Sequence, residues 1–172
     1  MSRRAADRTA SLVVISMFAA TAVAGQTAAA PTRDSFWLAA GGGVGSEDIA
    51  ASVNGSYQFG ANLVSLRATA TAGLFDDGFY DYAVLYGRAT RPAGKRFHTS
   101  GSLGVALVEG CRSNGFLGGC HDISTVVGLP LELQAFWRPG SLVGLGLYGF
   151  ANFNAVRSFA GLTLGLQLGR LR

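Results

Sequence analysis

The stretch from Ile123 to Trp137, ISTVVGLPLELQAFW, has an apolar residue at nearly every second position. Its odd positions are nearly all apolar, whereas its even positions include Ser124, Gly128, Glu132 and Gln134. A period of two indicates a β-strand with two different faces. Strands of soluble sheets usually have about five or six residues, whereas about 9–11 tilted residues cross a membrane. The sequence therefore predicts a membrane-spanning strand here.

Seven further segments show the same alternation, separated by turn residues such as Gly60 and Asp76-Asp77-Gly78. The eight predicted strands cover residues 35–45, 51–59, 62–74, 79–89, 97–108, 123–137, 142–153 and 157–171. Residues 109–122 are predicted to form the longest loop. An even number of strands, joined alternately by tight turns and by longer or acidic loops, is typical of a bacterial outer-membrane β-barrel.

A soluble barrel, such as a lipocalin-like periplasmic ligand carrier, would show the same alternation with its apolar face turned inward. However, only 14% of the residues are charged, against about 25% in a typical soluble domain. The predicted polar faces carry mainly Ser, Thr, Asn, Gln and Gly, which suit a narrow lumen. Trp137, Tyr80, Tyr57 and Phe59 near strand ends fit an aromatic girdle at the membrane surface. The composition favours an all-β, eight-stranded, antiparallel, up-and-down transmembrane barrel.

Residues 1–24 have the features of a secretory signal peptide. Arg3, Arg4 and Arg8 precede an uncharged run that ends in the cleavage-site pattern Ala22-Val23-Ala24. The sequence thus predicts a signal peptide (1–24), a flexible lead (25–33) and a barrel (34–172). Because the formal net charge is only +4 and these three arginines belong to the signal peptide, the charge does not imply a nucleic-acid partner.

In architecture and pattern, residues 34–172 resemble the small eight-stranded outer-membrane barrels of the OmpA/OmpX type. The resemblance implies a porin-like, monomeric integral protein of the outer membrane of a Gram-negative cell, with no cofactor. Such a protein contacts membrane lipids, is inserted by the barrel-assembly machinery and has a structural or surface-interaction role. Barrels of this group usually end on an aromatic residue recognised during assembly, whereas this sequence ends Gly169-Arg170-Leu171-Arg172.

The alternation places Arg67, Asp81, His98 and Glu132 on lumenal faces, with Arg138 at the rim. Charges inside a narrow barrel must be paired, because an unpaired buried charge is costly. We therefore predict that these five residues form a lumenal charge network that fills and locks the barrel, with Arg67 coupled to Glu132 across the lumen. The alternative is a gated pore or proton path, but eight strands leave room only for side chains or one small ligand.

His98-Thr99-Ser100, taken with Glu109 as the acid, resembles the catalytic set of the lipid A 3-O-deacylase barrels. His98 and Ser100 directly follow a short turn, so they are expected to face the lumen at the periplasmic end. A lipid-modifying site should instead face lipid at the outer leaflet, and Glu109 lies a whole strand length away. The sequence therefore favours a protein that is not an enzyme.

Charge also predicts the orientation of the barrel. The tight turns and the C-terminus carry basic residues, whereas the other strand ends carry Glu47, Asp48, Glu109, Asp122 and the pair at 76–77. Because a signal peptide exports the N-terminus into the periplasm and the number of strands is even, both chain ends stay in the periplasm. The acidic strand ends, which lie at the opposite side of the barrel, therefore face outward. These acids could bind Mg²⁺ or Ca²⁺ beside the anionic outer leaflet, or they could simply be solvated turn residues.

Cys111 and Cys120 lie in an exported chain, where the compartment is oxidising, and we predict a disulfide between them. A zinc site that used both with His121 would lack a fourth ligand, so no metal site is predicted. Closing this loop would contribute about 2–3 kcal/mol in the chain-entropy model. Thiol labelling of the folded, unreduced protein should detect no free cysteine, and labelling after reduction should detect two. Full labelling without reduction would show that the bond does not form.

Overall fold

The computed structural model describes residues 34–73, 78–90, 96–113 and 120–170. The predicted signal peptide and lead lie outside these residues. The eight strands are β1 Ser35–Gly45, β2 Asp48–Phe59, β3 Asn62–Ala72, β4 Gly78–Thr90, β5 Phe97–Ser113, β6 Cys120–Trp137, β7 Val143–Asn154 and β8 Phe159–Arg170. Each strand pairs antiparallel with the next, and β8 pairs with β1 to close the barrel. The described part of the chain contains no helix long and apolar enough to span a membrane.

The period of two in the sequence becomes an outer face and an inner face. On β8, Leu162, Leu164, Leu166 and Leu168 are exposed on the outside, whereas Thr163 and Gln167 are fully buried inside. The other strands follow the same rule, with exposed apolar residues outside and mostly polar residues inside. This is the reverse of a lipocalin. A closed barrel with an apolar exterior spans a membrane because it leaves no strand edge exposed to lipid.

Two ends of the barrel can be distinguished. The termini end is where β1 begins and β8 ends, and the loop end is where β5 and β6 meet in their hairpin. Most of the exposed aromatic residues lie near these two ends, whereas the exposed Tyr82 lies toward the middle of the barrel wall, opposite Ala68 and Leu107. Those toward the termini end are Phe36, Tyr57, Phe59, Tyr86, Phe97 and Trp137, and those toward the loop end are Tyr80 and Phe153. Tyr57 donates a hydrogen bond of 2.6 Å to Asp34, and Tyr86 donates one of 2.9 Å to Asn62. Such side chains, apolar in the ring and polar at the tip, suit the membrane surface.

The prediction that residues 109–122 form a loop is wrong. β5 continues to Ser113 and β6 begins at Cys120, so most of this segment is a long hairpin. The register shifts where Val108 pairs with Val126 and Gly110 pairs with Ile123, because β6 carries one extra residue there. In this β-bulge, Ser124 and Thr125 lie opposite Glu109. The bulge and the polar composition of the segment 109–122 interrupt the alternation that marks the other strands.

The barrel seam depends on a glycine opposite the largest lumenal side chain. Gly169 of β8 pairs with Trp37 of β1 and has a φ of 157°. A Cβ at this position would lie 2.3 Å from the carbonyl oxygen of Phe36. Glycine therefore allows the two strands to close while the ring of Trp37, only 1% exposed, lies in the lumen.

The lipid-facing assignment of β8 can be tested with a charge at the middle of the strand. Leu164→Arg should lower the free energy of unfolding by about 2–4 kcal/mol, since a lipid-facing arginine is most costly at the bilayer midplane. Ala160→Arg, on the same face close to the loop end, is the matched control and should cost about 0–1 kcal/mol. Urea titration of the protein folded into lipid vesicles measures both losses. Equal losses would contradict the assignment.

Candidate functional site

The five residues of the predicted charge network are all buried on the lumenal side. Arg67 of β3, Asp81 of β4, His98 of β5 and Glu132 of β6 are each at most 3% exposed, and Arg138, which follows β6, is 7% exposed. The alternation of each strand turns these side chains inward, including that of β4, whose facing is the hardest to read from sequence. The structure places them in separate groups along the barrel axis.

The first group is built around the carboxylate of Asp81. Arg67 forms an ion pair with it, and both side chains are completely buried. Thr69 donates a hydrogen bond of 2.6 Å to Oδ1, and Asn152 of β7 donates one of 2.8 Å to Oδ2. Charge-assisted hydrogen bonds of this kind compensate for the lost hydration of a buried carboxylate.

Arg67 also reaches the opposite wall of the barrel. Its Nη1 donates a hydrogen bond of 2.8 Å to the carbonyl oxygen of Leu131 on β6, and its guanidinium carbon lies 5.7 Å from the centre of the Phe150 ring. Together with the bond from Asn152 to Asp81, these contacts join β3 to β6 and β4 to β7. The Arg67–Asp81 group therefore ties facing walls together.

The second group is built around Glu132. Tyr148 donates to its Oε2 at 2.5 Å, while Gln134 and Ser102 donate to its Oε1 at 2.6 Å and 3.1 Å. The partners of Glu132 thus come from β5, β6 and β7. Arg67 pairs directly with Asp81 and not with Glu132, but Tyr148, which donates to Glu132, also interacts with Arg67.

His98 and Arg138 lie toward the termini end, away from both carboxylates. The ring of His98 packs edge-on against Trp37, with 5.0 Å between the ring centres. Ser100 is buried two residues further along β5, and Glu109 is exposed at the loop end, where it accepts a hydrogen bond of 3.3 Å from Thr125. The three residues that resemble a deacylase set are therefore not brought together.

An aromatic layer at the loop end was missed by the sequence analysis. Phe79 and Phe159 stack with 5.8 Å between ring centres. Above them, Arg157 lies 5.8 Å from the Phe79 ring and forms an ion pair of 3.0 Å with Glu47. These rings, with Phe150, belong to one buried apolar cluster. The sequence places Phe150 at an even position of β7, on the same face as Tyr148 and Asn152, which both point into the lumen. The glycines of β7 obscure which face of this strand is apolar, so the sequence alone did not identify Phe150 as lumenal.

The acidic residues of the loop end do not form a metal site within the described residues. No group of three His, Cys, Asp or Glu side chains in those ranges could hold a metal ion. Glu47 is paired with Arg157, and residues 76–77 lie outside the described ranges.

The two cysteines lie on neighbouring strands of the hairpin. The backbone register pairs Cys111 with Asp122 and Ser113 with Cys120, which places the cysteines diagonally across β5 and β6. The side chain of Cys120 lies outside the described residues. The disulfide therefore stays a prediction.

No protein-family model matches the chain, and a search of curated proteins found no relative. Solved structures do show the same fold. The barrel is similar to Neisserial surface protein A, with a TM-score of 0.60 and 12% identity over 78% of this chain and 96% of that one. The N-terminal barrel domain of Pseudomonas aeruginosa OprF gives a TM-score of 0.58 and 9% identity over 78% and 96%. Ail, the attachment invasion locus protein of Yersinia pestis, gives 0.55 and 15% over 79% and 97%.

The fold and the lumenal geometry together define the class of protein. The chain is an eight-stranded antiparallel transmembrane β-barrel of the outer-membrane type. Its apolar exterior, aromatic residues near both ends and polar interior are the features of barrels that reside in outer membranes, and the outer membrane is where this barrel belongs.

The pairing inside the lumen can be measured by double-mutant cycles. Arg67→Ala should lower the free energy of unfolding by about 3–5 kcal/mol, because it leaves a buried carboxylate without its cation. The cycle of Arg67→Ala with Asp81→Ala should give a coupling energy of about 1–3 kcal/mol. The cycle of Arg67→Ala with Glu132→Ala is the control and should give a smaller coupling. A larger coupling to Glu132 than to Asp81 would contradict the observed pairing.

Proposed function

We propose that this protein is an integral outer-membrane barrel with a structural and surface-interaction role, in which side chains close the lumen and the β5–β6 hairpin is the element that contacts partners. The observation that carries the proposal is the length of this hairpin. The last pair between β6 and β7 joins Gly128 to Asn154, whereas β6 continues outward from Val127 to Cys120. At about 3.3 Å per residue, this segment adds roughly 25 Å of strand.

The groups inside the barrel support closure of the lumen. The Arg67–Asp81 group crosses its middle, the Glu132 group lies along β5 to β7, and the Phe79–Phe159 stack covers the loop end. Eight strands leave an interior only wide enough for side chains or one small ligand. The proposed role is therefore not that of an open porin.

The extension of the β5–β6 hairpin supports an orientation with the loop end outside the cell. The other connections have similar lengths at the two ends, with two residues between β1 and β2 at the loop end and two between β2 and β3 at the termini end. Outer-membrane barrels have short periplasmic turns and longer extracellular loops, with both chain ends in the periplasm. We assign the termini end to the periplasm on this basis, so that the hairpin projects beyond the membrane.

The free edge of β6 supports a role in binding. Among the described strands, none pairs with the β7-facing edge of β6 between Cys120 and Val127. Unpaired backbone N–H and C=O groups on such an edge can hydrogen-bond to an added strand of another protein. The exposed side chains nearby, Glu109, Asp122, Ser124 and Thr125, are polar. Two of the similar structures are a surface protein and an attachment protein by name, which agrees with this role.

The remaining parts of the proposal follow from the type of barrel. The protein is proposed to be a monomer surrounded by lipid, inserted by the barrel-assembly machinery, without a nucleic-acid partner or cofactor. We do not propose catalysis, since His98 and Ser100 lie in the lumen toward the termini end and Glu109 is exposed at the loop end.

Cysteine labelling on intact cells tests the orientation and the exposure of the hairpin. In a background with Cys111→Ser and Cys120→Ser, we expect Thr125→Cys to react with a membrane-impermeant maleimide, because Thr125 is exposed on the hairpin. Ser141→Cys, in the exposed β6–β7 turn of the termini end, is the matched control and should react only after the outer membrane is permeabilised. The reverse pattern would contradict the orientation. Conductance of the purified barrel in planar bilayers above the protein-free baseline would contradict closure.

A further inference from the structure

The exposed charges of the two barrel ends have opposite signs among the residues that the structure describes. The exposed acids of the loop end are Asp48, Glu109 and Asp122. The one exposed cation described there, Arg157, forms an ion pair with Glu47. The exposed cations of the termini end are Arg88, Arg96 and Arg170, against the single exposed acid Asp34. The outer surface of the termini end is therefore positive, and it attracts anionic groups.

Arg88 of β4 lies on the outer face of the barrel within the aromatic belt of the termini end. It follows the exposed Tyr86 by two residues, on the same face and closer to the end of the strand. Across the sheet it pairs with Asn62 of β3 and with Gly101 of β5. Because Gly101 has no side chain, β5 contributes none beside the guanidinium group. Aromatic side chains with a polar tip mark the depth of the lipid headgroups, so Arg88 lies at that depth.

The side chain of Asn62 is held in one orientation beside Arg88. Tyr86 donates a hydrogen bond of 2.9 Å to its Oδ1, so Nδ2 is the amide atom left for another partner. Among the residues that the structure describes, neither Nδ2 of Asn62 nor the guanidinium group of Arg88 has an acceptor. Residues directly opposite each other on antiparallel strands have Cβ atoms about 4.5–5.5 Å apart. An amide and a guanidinium group therefore lie side by side as donors without an acceptor.

The donors of this pair identify the class of ligand. A guanidinium group presents N–H donors in a fixed fork that matches two oxygens of a phosphate, and Nδ2 of Asn62 adds donors beside it. The nearest described carboxylate on the outer surface belongs to Asp34, which accepts a hydrogen bond from Tyr57. Asp34 precedes β1, which is three strand spacings or about 14 Å from β4, beyond the Debye length of about 8 Å. The charge of Arg88 thus stays uncompensated on this surface, and the phosphate of a lipid fits it.

We propose that Arg88 and Asn62 bind the phosphodiester group of an anionic phospholipid in the leaflet that surrounds the termini end. The guanidinium group and Nδ2 donate to the phosphate oxygens, and the acyl chains run over the exposed apolar side chains of Leu66, Val84 and Leu103. A net negative headgroup such as phosphatidylglycerol is favoured over a zwitterionic one, because the site carries an uncompensated positive charge. The location of this lipid in the periplasmic leaflet rests on the orientation proposed above, whereas the site itself does not.

Native mass spectrometry tests the site by counting the lipids that stay bound to the barrel. The protein is placed in phosphatidylcholine nanodiscs that contain a small fraction of phosphatidylglycerol. We expect it to retain phosphatidylglycerol, and we expect Arg88→Gln to weaken this association at least about tenfold, since a charge-assisted hydrogen bond is lost. Asn62→Leu, which keeps the charge and removes the amide, should also weaken it. Heat-modifiable gel mobility confirms that each variant is folded.

Arg170→Gln is the matched control and should retain the lipid. Arg170 is an exposed arginine of the same end, but it pairs with Phe36 instead of an amide. Equal losses in Arg88→Gln and Arg170→Gln would overturn the site, because they would show only a general attraction of cations for anionic lipid. Binding without preference for phosphatidylglycerol in the unmodified protein would also overturn it, and an unchanged association in Asn62→Leu would overturn the role of the amide.

NMR of the unmodified protein provides a second measurement that needs no variant. Adding phosphatidylglycerol to phosphatidylcholine nanodiscs should shift the side-chain amide signals of Asn62 and leave those of the lumenal Asn54 in place. Unshifted signals of Asn62 would overturn the proposal. Sodium phosphate added to phosphatidylcholine nanodiscs is the control for free phosphate, and an equal shift with it would overturn the assignment to a lipid. Both leaflets of a nanodisc have the same composition, so neither measurement depends on the orientation, which the cysteine labelling tests separately.

Discussion

Closure of the hydrogen-bond ring is the constraint on which the rest of this structure depends. Inside a bilayer there is no water to satisfy backbone N–H and C=O groups, so a sheet can cross only if its last strand pairs with its first. Here β1 pairs with β8 from Phe36 and Arg170 to Gly45 and Gly161. The seam carries glycines where side chains would collide: a Cβ at Gly43 would lie 2.1 Å from the carbonyl oxygen of Leu162, and one at Gly169 would lie 2.3 Å from that of Phe36. Among the described residues, β6 leaves its β7-facing edge unpaired only between Cys120 and Val127, past its last pair with β7 at Gly128.

Closure with eight strands also determines what the interior must contain. The lumen is too narrow for bulk water, so each buried charge needs its compensation from neighbouring side chains. Asp81 obtains it from Arg67, Thr69 and Asn152, and Glu132 obtains it from hydroxyl and amide donors. The first arrangement joins an anion to a cation, whereas the second surrounds an anion with neutral donors. Tyr148 connects the two arrangements, since it donates to Glu132 and also interacts with Arg67.

Much of the fold could be predicted from the sequence because lipid and lumen impose opposite polarities on alternate residues. Fold class, strand number and the facing of most strands follow from that alternation, and the inward position of Arg67, Asp81, His98 and Glu132 follows with them. The hairpin could not be predicted, because β6 carries an extra residue at the bulge opposite Glu109, which interrupts the alternation of residues on the two faces. Partners across the lumen were equally inaccessible, since they depend on register and barrel closure. Asn152 reaches Asp81 from β7, which a pattern read strand by strand does not reveal.

Contacts inside the lumen, rather than contacts on the exterior, determine the register in which the strands of this barrel pair. Lipid is as apolar as the leucines of β8, so contacts on the outer face contribute little to the choice between one strand arrangement and another. Hydrogen bonds and the ion pair inside the lumen do discriminate, because a slip of one residue would turn Arg67 and Asp81 toward lipid. Aromatic rings pack at both ends of this lumenal lining, Phe79 and Phe159 toward the loop end and Trp37 and Phe136 toward the termini end. The polar contacts that specify the register thus lie between two apolar clusters.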